Sequence, residues 1–229
     1  MDAVAERAAA VVSEAAVKAP PAAERVYSHV KSGVLDRRYE GGTLLTEGDL
    51  ADAVGVSRTP VREALLRLEA EGLLKLYPKK GALVLPVSAQ EIADVVETRL
   101  LVERHAVAKV VGAVPAGLIA RLEDSLAEQR ELAASGDLAA FAAADRGFHA
   151  EIVRAAGNRI LAHLYDQLRD RQLRMGVATM HAEPSRVALT VAEHTEILDA
   201  LRAGAAEEAE SVVEQHISRV KVLLAGSAS

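Results

Sequence analysis

The chain has 229 residues, half of them hydrophobic, which is enough for two domains with packed cores. It contains no cysteine, which excludes disulfides, cysteine nucleophiles and cysteine-based zinc fingers, and a reducing cytoplasm is the expected location. No membrane partner is expected, because the sequence has neither a signal peptide nor an apolar run long enough to span a bilayer. The net charge of −6 by itself argues against nucleic acid as a partner.

The charge is distributed unevenly along the chain. Residues 20–81 contain ten Lys/Arg and nine Asp/Glu, a net charge of +1, whereas residues 82–229 contain fifteen and twenty-one, a net charge of −6. A DNA-binding head attached to an acidic body would produce this asymmetry, and so would a solvated surface of mixed charge.

A stripe of Val26, Val30 and Val34 predicts the first helix of this segment, and helix caps and glycines predict two more. A Thr46-x-x-Asp49 capping box starts a short helix that stops at Gly55, and Ser57 is a good N-cap for a longer helix that ends at Gly72. The expected helices cover residues 22–35, 46–55 and 57–72.

Two short apolar runs, residues 73–77 and 82–85, flank Pro78-Lys79-Lys80-Gly81 and predict a β-hairpin with a basic tip. Two helices joined by a tight glycine turn and followed by a hairpin are typical of a winged helix-turn-helix. We expect this DNA-binding domain to span residues 20–86, after an Ala-rich tail (residues 1–19) to which no role is assigned.

From residue 87 onward the pattern is helical throughout, with boundaries set by proline and glycine. The fold class is therefore mainly α, with an all-α antiparallel helical bundle over residues 87–226 as the second domain. The predicted helices cover residues 88–112, 115–135, 137–156, 158–180, 184–203 and 205–225.

In a winged helix-turn-helix, the start of the second helix reaches base edges in the major groove. Arginine can bind guanine or phosphate with two parallel donors, and hydroxyls can bind phosphate oxygens. A hairpin tip with a small residue can approach a neighbouring groove. The candidate DNA-binding residues are Ser57, Arg58, Thr59, Arg62, Lys80 and Gly81, although solvated surface residues would give the same pattern.

Four polar side chains lie on the apolar faces of the predicted body helices. Asp145 and His149 are four residues apart and share a helix face, while His194 and His216 interrupt apolar stripes of two later helices. A buried carboxylate is costly unless something pairs with it, and one divalent metal could do so. Zinc is the first choice, with nickel or manganese as alternatives. Separately satisfied core histidines remain the other interpretation.

The run LADAVGVSRTPVREALLRLEAEGLL, followed by a glycine-tipped hairpin, resembles the DNA-binding head of the GntR family of regulators. The resemblance implies that Arg58, Thr59 and Arg62 contact operator DNA and that the tip around Gly81 enters the minor groove. Many relatives carry a basic residue where this chain has Gly48, so a contact from that position is not expected.

The body resembles the FCD domain of the FadR subfamily. The resemblance rests on Glu97-x-Arg99-x-x-x-Glu103, Asp145-x-x-Phe148-His149, Asn158, Glu193-His194 and His216. It implies that Asp145, His149, His194 and His216 are metal ligands, that a small carboxylate is the effector, and that a homodimer binds palindromic operator DNA.

Two arginines are candidates for binding the effector. Arg99 could clamp a carboxylate with two hydrogen bonds, or form an ion pair with Glu103 one turn away. Arg146 could border the site or lie on the surface.

Three functions are compatible with these features. The first is a DNA-binding transcriptional regulator, not an enzyme, whose operator binding responds to the effector. The second is a metal-dependent hydrolase that uses the same Asp/His cluster, since a metal with open positions can activate water. The third is a constitutive DNA-binding scaffold in which the polar cluster is only structural.

Overall fold

The structure, a computed structural model, describes residues 19–226, so the predicted Ala-rich tail lies outside the described residues except for Ala19. None of the helices in this part of the chain is long and apolar enough to cross a membrane. We call residues 20–86 the head and the remainder the body. The head contains α1 (Ala22–Leu35), β1 (Leu44–Leu45), α2 (Glu47–Val54), α3 (Arg58–Ala70), β2 (Leu74–Tyr77) and β3 (Gly81–Val84).

The caps of α2 are those that the sequence predicts. The Thr46 hydroxyl accepts a hydrogen bond from the Asp49 N–H at 3.1 Å, and Gly55 ends α2 in the left-handed conformation with φ 67°. The three helices enclose a small core built from the apolar stripe of each. Its fully buried members on the helices are Val26, Val30, Val61 and Leu68, and Ala82 of β3 is equally buried.

The hairpin of the head is part of a three-stranded antiparallel sheet of order β1-β3-β2, so the prediction of an isolated hairpin is incomplete. The strand outside the hairpin is β1, which pairs with β3 through Leu44 with Leu83 and Leu45 with Ala82. It has only two residues, too few for an alternating pattern to reveal. Gly81 lies so close to this strand that a Cβ atom would be 2.3 Å from the Leu45 carbonyl oxygen. The strand therefore explains why position 81 is glycine.

The described body contains seven helices rather than the six predicted. They are α4 (Ala89–Val111), α5 (Leu118–Ser135), α6 (Leu138–Ala155), α7 (Arg159–Gln167), α8 (Arg169–Ala182), α9 (Arg186–Ala203) and α10 (Ala206–Gly226).

The prediction of one helix over residues 158–180 is wrong, because the chain turns at Leu168. The Leu168 N–H bonds to the carbonyl of Tyr165, three residues back, at 3.1 Å. No glycine or proline marks this break. Tyr165 is buried, with its hydroxyl on Glu103 of α4, so tertiary contacts rather than a local breaker turn the chain.

Helices α4 and α10 pack along each other at the centre of the body, and α5 packs on α6 and α9. Helix α8 also contacts the head. Asp170 pairs with Lys31 of α1 at 2.6 Å, and the guanidinium of Arg174 donates to the Leu85 carbonyl at 2.8 Å. Helix α8 therefore joins the interior of the body to the head.

Candidate nucleic-acid interface and metal centre

The N-terminal turn of α3 is exposed on the surface of the head. Ser57 is the N-cap residue, yet its side chain makes no capping hydrogen bond, which leaves its hydroxyl available to a ligand. Arg58, Thr59 and Arg62 are all exposed. The buried face of α3, which includes Val61 and Leu65, points the other way, so the basic residues lie on the side away from the core.

A groove of about 760 Å³ separates this turn from the hairpin. Arg58 and Arg62 line one side, and Lys79 and Lys80 of the hairpin turn line the other. Lys79 has φ 63°, a left-handed conformation that costs a non-glycine residue about 1–2 kcal/mol. The structure thus brings the predicted basic residues to one concave face, where Gly81 forms the start of β3.

The four predicted metal ligands lie together inside the body. Asp145 and His149 come from α6, His194 from α9 and His216 from α10, and one ligand atom of each lies within 4.8 Å of the others. His149 Nε2 is 3.0 Å from His194 Nε2 and 3.1 Å from His216 Nε2. Asp145 Oδ1 is 3.5 Å from His194 Nε2.

The other nitrogen of each ring has an oxygen partner. The Nδ1 atom of His149 is 2.8 Å from a Glu103 oxygen, that of His194 is 2.7 Å from Gln129 Oε1, and that of His216 is 2.8 Å from a Glu193 oxygen. Acceptors on the Nδ1 side favour the tautomer that carries hydrogen there, and at His216 the Glu193 oxygen competes with Arg186 Nη2, which is 3.2 Å from the same nitrogen. In the Nδ1–H tautomer the three Nε2 lone pairs converge on one point.

Converging lone pairs repel one another unless a cation lies between them. Hydrogen-bonded imidazoles that present their second nitrogen, together with a carboxylate, form a donor set that suits divalent transition metals. The residues present therefore fit a metal ion.

Burial disfavours charge on two histidines of this cluster, His194 and His216. It lowers the pKa of His194 and His216 well below the ordinary value, and the neighbouring rings and arginines act in the same direction. Burial also raises the pKa of Asp145, against the opposing influence of His149 and two arginines. The site thus favours the neutral, ligand form of the His194 and His216 rings.

The pKa of Glu103 is shifted in the opposite direction to that of Asp145. Its burial would raise the pKa of the carboxyl, but the charges of Arg99 and His149 outweigh this and hold the pKa well below its usual range. Glu103 is therefore ionised and accepts from His149 Nδ1. An anionic acceptor of this kind raises the basicity of the ligand nitrogen on the other side of the ring.

A cavity of about 30 Å³ adjoins the cluster between α4, α6, α8, α9 and α10, with room for about two water molecules. Asp145 and His216 form part of its wall. Two further lining residues, Gln172 and Arg186, are buried, and their Nε2 and Nη1 atoms have no hydrogen-bond partner within the described part of the chain. Buried donors without acceptors are costly, so the cavity is suited to a ligand that supplies acceptor oxygens.

The two predicted effector-binding arginines lie in different places. Arg99 lines the cavity and also pairs with Glu103 at 2.6 Å, so both of its predicted roles are geometrically available. Arg146 forms an ion pair with Asp166, and its Nε donates to Gln172 Oε1 at 3.4 Å. Arg146 thus reaches the cavity through Gln172 rather than directly.

Sequence reasoning missed several residues that support the site, although their positions carried a signal. Gln129 continues the buried stripe of Leu118, Leu122 and Leu126 on α5. Arg186 begins a buried stripe on α9 that continues through Thr190, Glu193 and His194. A polar residue on an apolar stripe was the criterion that selected the histidines, and the same criterion selects Gln129. Arg186 shares its stripe with His194, which that criterion selected.

A helix-turn-helix with a basic exposed face, joined to a helical body with a polar site among its helices, is the architecture of a DNA-binding transcriptional regulator. Comparisons with known proteins agree. Residues 22–84 match the family described as "Bacterial regulatory proteins, gntR family", and residues 94–219 match the FCD domain. The chain belongs to the GntR family of bacterial regulators and carries an FCD domain.

Individual relatives match over most of the chain. A helix-turn-helix transcriptional regulator from an unstable DNA locus of Streptomyces ambofaciens is 32% identical, covering 85% of this chain and 81% of the relative. The probable D-xylose utilization operon transcriptional repressor of Paenarthrobacter nicotinovorans is 28% identical, covering 86% and 85%. The E. coli McbR/YncC structure has a TM-score of 0.72 at 23% identity, covering 92% of this chain and all of that one, which shows a shared fold.

Membership of this family decides against the hydrolase. Both matched segments and the names of the relatives describe transcriptional regulators rather than enzymes.

Proposed function

We propose that the chain is a sequence-specific transcriptional regulator whose operator binding is modulated by a small carboxylate bound at a metal site in the body. The chain divides at Pro86 into a DNA-binding head and an effector-binding body, and it acts in the cytoplasm because operators are there. The observation that carries the proposal is the convergence of three histidine Nε2 atoms and one carboxylate beside a cavity with unpaired buried donors.

Operator recognition is assigned to the exposed turn of α3 and to the hairpin. Arg58 and Arg62 supply paired donors for guanine edges or phosphates, and the Ser57 and Thr59 hydroxyls bind phosphate oxygens. Lys80 and the neighbouring Gly81 bring the hairpin turn to the adjacent minor groove. All of these residues except Ser57 and Thr59 line the groove between α3 and the hairpin.

The charges of the body favour an anionic effector. Arg99 and Arg186 are balanced by Glu103 and Glu193, and Asp145 is a further carboxylate of the site whose side chain is 16% exposed. A divalent ion, zinc first and nickel or manganese as alternatives, would then give the buried site a positive charge. A carboxylate would offset that charge and accept from Arg186 Nη1 and Gln172 Nε2, with Arg99 and the Arg146–Gln172 contact supporting it.

Helix α8 provides the connection between effector and DNA. Gln172, Met175 and Thr179 on this helix line the cavity, while Asp170 and Arg174 hold the head. A ligand that enlarges the small cavity must shift α8 or its neighbours, and the head contacts would shift with it. Because α8 contacts both the cavity and the head, ligand binding in the body can change the spacing of the two heads of a dimer.

We also propose a homodimer, because a two-fold protein reads both halves of a palindrome. The body exposes large apolar side chains on α4 and on α7, which packs against it: Leu101 is 69% exposed and Ile160 is 75% exposed. A second copy that covers this surface would bury them.

Leu101→Glu is expected to give monomers in light scattering, whereas Leu66→Glu on α3 of the head should leave the dimer intact. A dimer unaffected by Leu101→Glu and Ile160→Glu would refute this interface.

The function is tested in two steps with untagged full-length protein. Selection from random DNA should yield a palindrome, and plasma mass spectrometry should find close to one divalent ion per chain, as isolated or after reloading. Less than about a tenth of an equivalent in both preparations would refute the metal site, because His/carboxylate sites retain or reload metal. Failure to enrich any sequence would refute operator recognition.

A further inference from the structure

An ion pair lies on the DNA-binding face without a role in the function proposed so far. Arg62 Nε on α3 donates to both carboxylate oxygens of Glu47 on α2 at 2.8 Å. The Arg62 side chain is 65% exposed and that of Glu47 is 31% exposed. Exposed ion pairs contribute little to folding because water screens them, so stability does not explain this contact.

A carboxylate on this face opposes binding of the phosphate backbone. The groove between α3 and the hairpin carries two acidic side chains, Glu47 and Glu69, among its basic ones. Glu69 has a structural partner, since it accepts from the Leu76 N–H at 2.9 Å. Within the described residues, Arg62 is the sole side-chain partner of Glu47. Apart from its favourable place in the first turn of α2, the one described side-chain contact through which Glu47 can act is therefore the pair with Arg62.

The geometry of the pair determines how Arg62 faces a ligand. Its Nε is occupied by Glu47, whereas its two Nη groups have no hydrogen-bond partner among residues 19–226. Glu47 is itself fixed in the first turn of α2, where the helix dipole favours an acid. The free edge of the guanidinium presents two parallel donors, and guanine O6 and N7 are the base atoms that accept such a pair.

We propose that Glu47 is a positioning residue for sequence recognition: it holds Arg62 so that its two Nη groups face a guanine, and it keeps Arg62 away from the phosphates. The inference rests on the proposed contact between Arg62 and operator DNA. Loss of Glu47 should reduce specificity more than affinity, because a released Arg62 can bind phosphate instead. Each new phosphate contact steepens the dependence of log K on log salt by about 0.9.

The test compares base preferences of full-length variants selected on the same random DNA library. Arg62→Ala should lose a guanine preference at one position of each half-site, and Glu47→Ala should lose it at the same position. Its affinity for unrelated DNA should be equal or higher, with a salt slope steeper by about 0.9 for each head. Asp52→Ala, which removes an exposed acid from the same helix, should keep the preference.

The outcomes separate this inference from the proposed function. If Arg62→Ala changes no preference, the Arg62 contact itself is refuted, and the role of Glu47 falls with it. If Arg62→Ala loses the guanine but Glu47→Ala keeps it, the role of Glu47 alone is refuted. Glu47→Gln should lie between wild type and Glu47→Ala because its amide oxygen still accepts from Nε. A Glu47→Gln variant that loses the guanine preference as completely as Glu47→Ala would contradict the role of the hydrogen bond to Nε.

Discussion

Replacing Asp145 by asparagine tests metal binding separately from the stability of the body. The substitution preserves side-chain shape and removes one charge from the cluster. Because burial raises the pKa of Asp145, the ionised carboxylate is disfavoured in the metal-free protein. The metal-free Asp145→Asn variant is therefore expected to be at least as stable as wild type, while its response to metal becomes smaller.

The size of the response follows from mass action. Free metal at about 100 times Kd raises the free energy of unfolding by about 2.7 kcal/mol, or roughly 5–11 °C in Tm for a chain of this length. Loss of a charged ligand should weaken metal binding by at least the 10–100-fold that outer-shell partners contribute. A 100-fold loss would leave a gain of about 0.4 kcal/mol, or roughly 1–2 °C, at the same free metal.

Thermal unfolding monitored by circular dichroism measures the Tm of the metal-free protein in chelator and the shift in Tm that buffered metal causes. Asp124→Asn, at an exposed position on α5, is the matched control and should respond to metal as wild type does. The reasoning is refuted if Asp145→Asn keeps the full metal-induced shift, or if its metal-free form is destabilised by several kcal/mol.

Three further predictions concern the hydrogen bonds and charges of the site and the head. Tyr165→Phe removes a 2.8 Å hydrogen bond to the ionised Glu103 and should cost about 1.5–3 kcal/mol in urea unfolding, whereas an unchanged midpoint would contradict that bond. Because burial lowers the pKa of His194 and His216, the unfolded chain takes up protons below pH ~6.5 that the folded metal-free protein does not. Its free energy of unfolding in chelator should therefore fall as pH drops from 6.5 to 5, and a flat profile would count against this. Arg62→Ala should weaken operator binding by roughly 5- to 150-fold in fluorescence anisotropy, and unchanged affinity would remove Arg62 from the interface.

The sequence predicted helix starts and buried polar residues best, because both follow from the spacing of residues along one helix. Caps at Thr46 and Ser57 located the helices of the head, and polar residues on apolar stripes identified four side chains that the fold brings together. These signals are local, because one helix is enough to express them.

Features that depend on contacts between distant elements could not be predicted in this way. The turn at Leu168 follows from the docking of Tyr165 on Glu103, and two-residue β1 exists only because β3 pairs with it. The pairing of Arg62 with Glu47 likewise joins two helices whose relative orientation the sequence does not state. Gln129 and Arg186 are different, because their helical positions signalled burial, but their roles depend on neighbours from other helices.

The most direct test of carboxylate-dependent operator binding is fluorescence anisotropy of the selected operator with metal-loaded protein and a panel of small carboxylates. At least one carboxylate should change the operator Kd of wild type about tenfold or more, a coupling of about 1.4 kcal/mol. The same compound should have little effect on Asp145→Asn. An operator affinity that no carboxylate changes, or a change that is equally large in Asp145→Asn, would contradict effector control through this site.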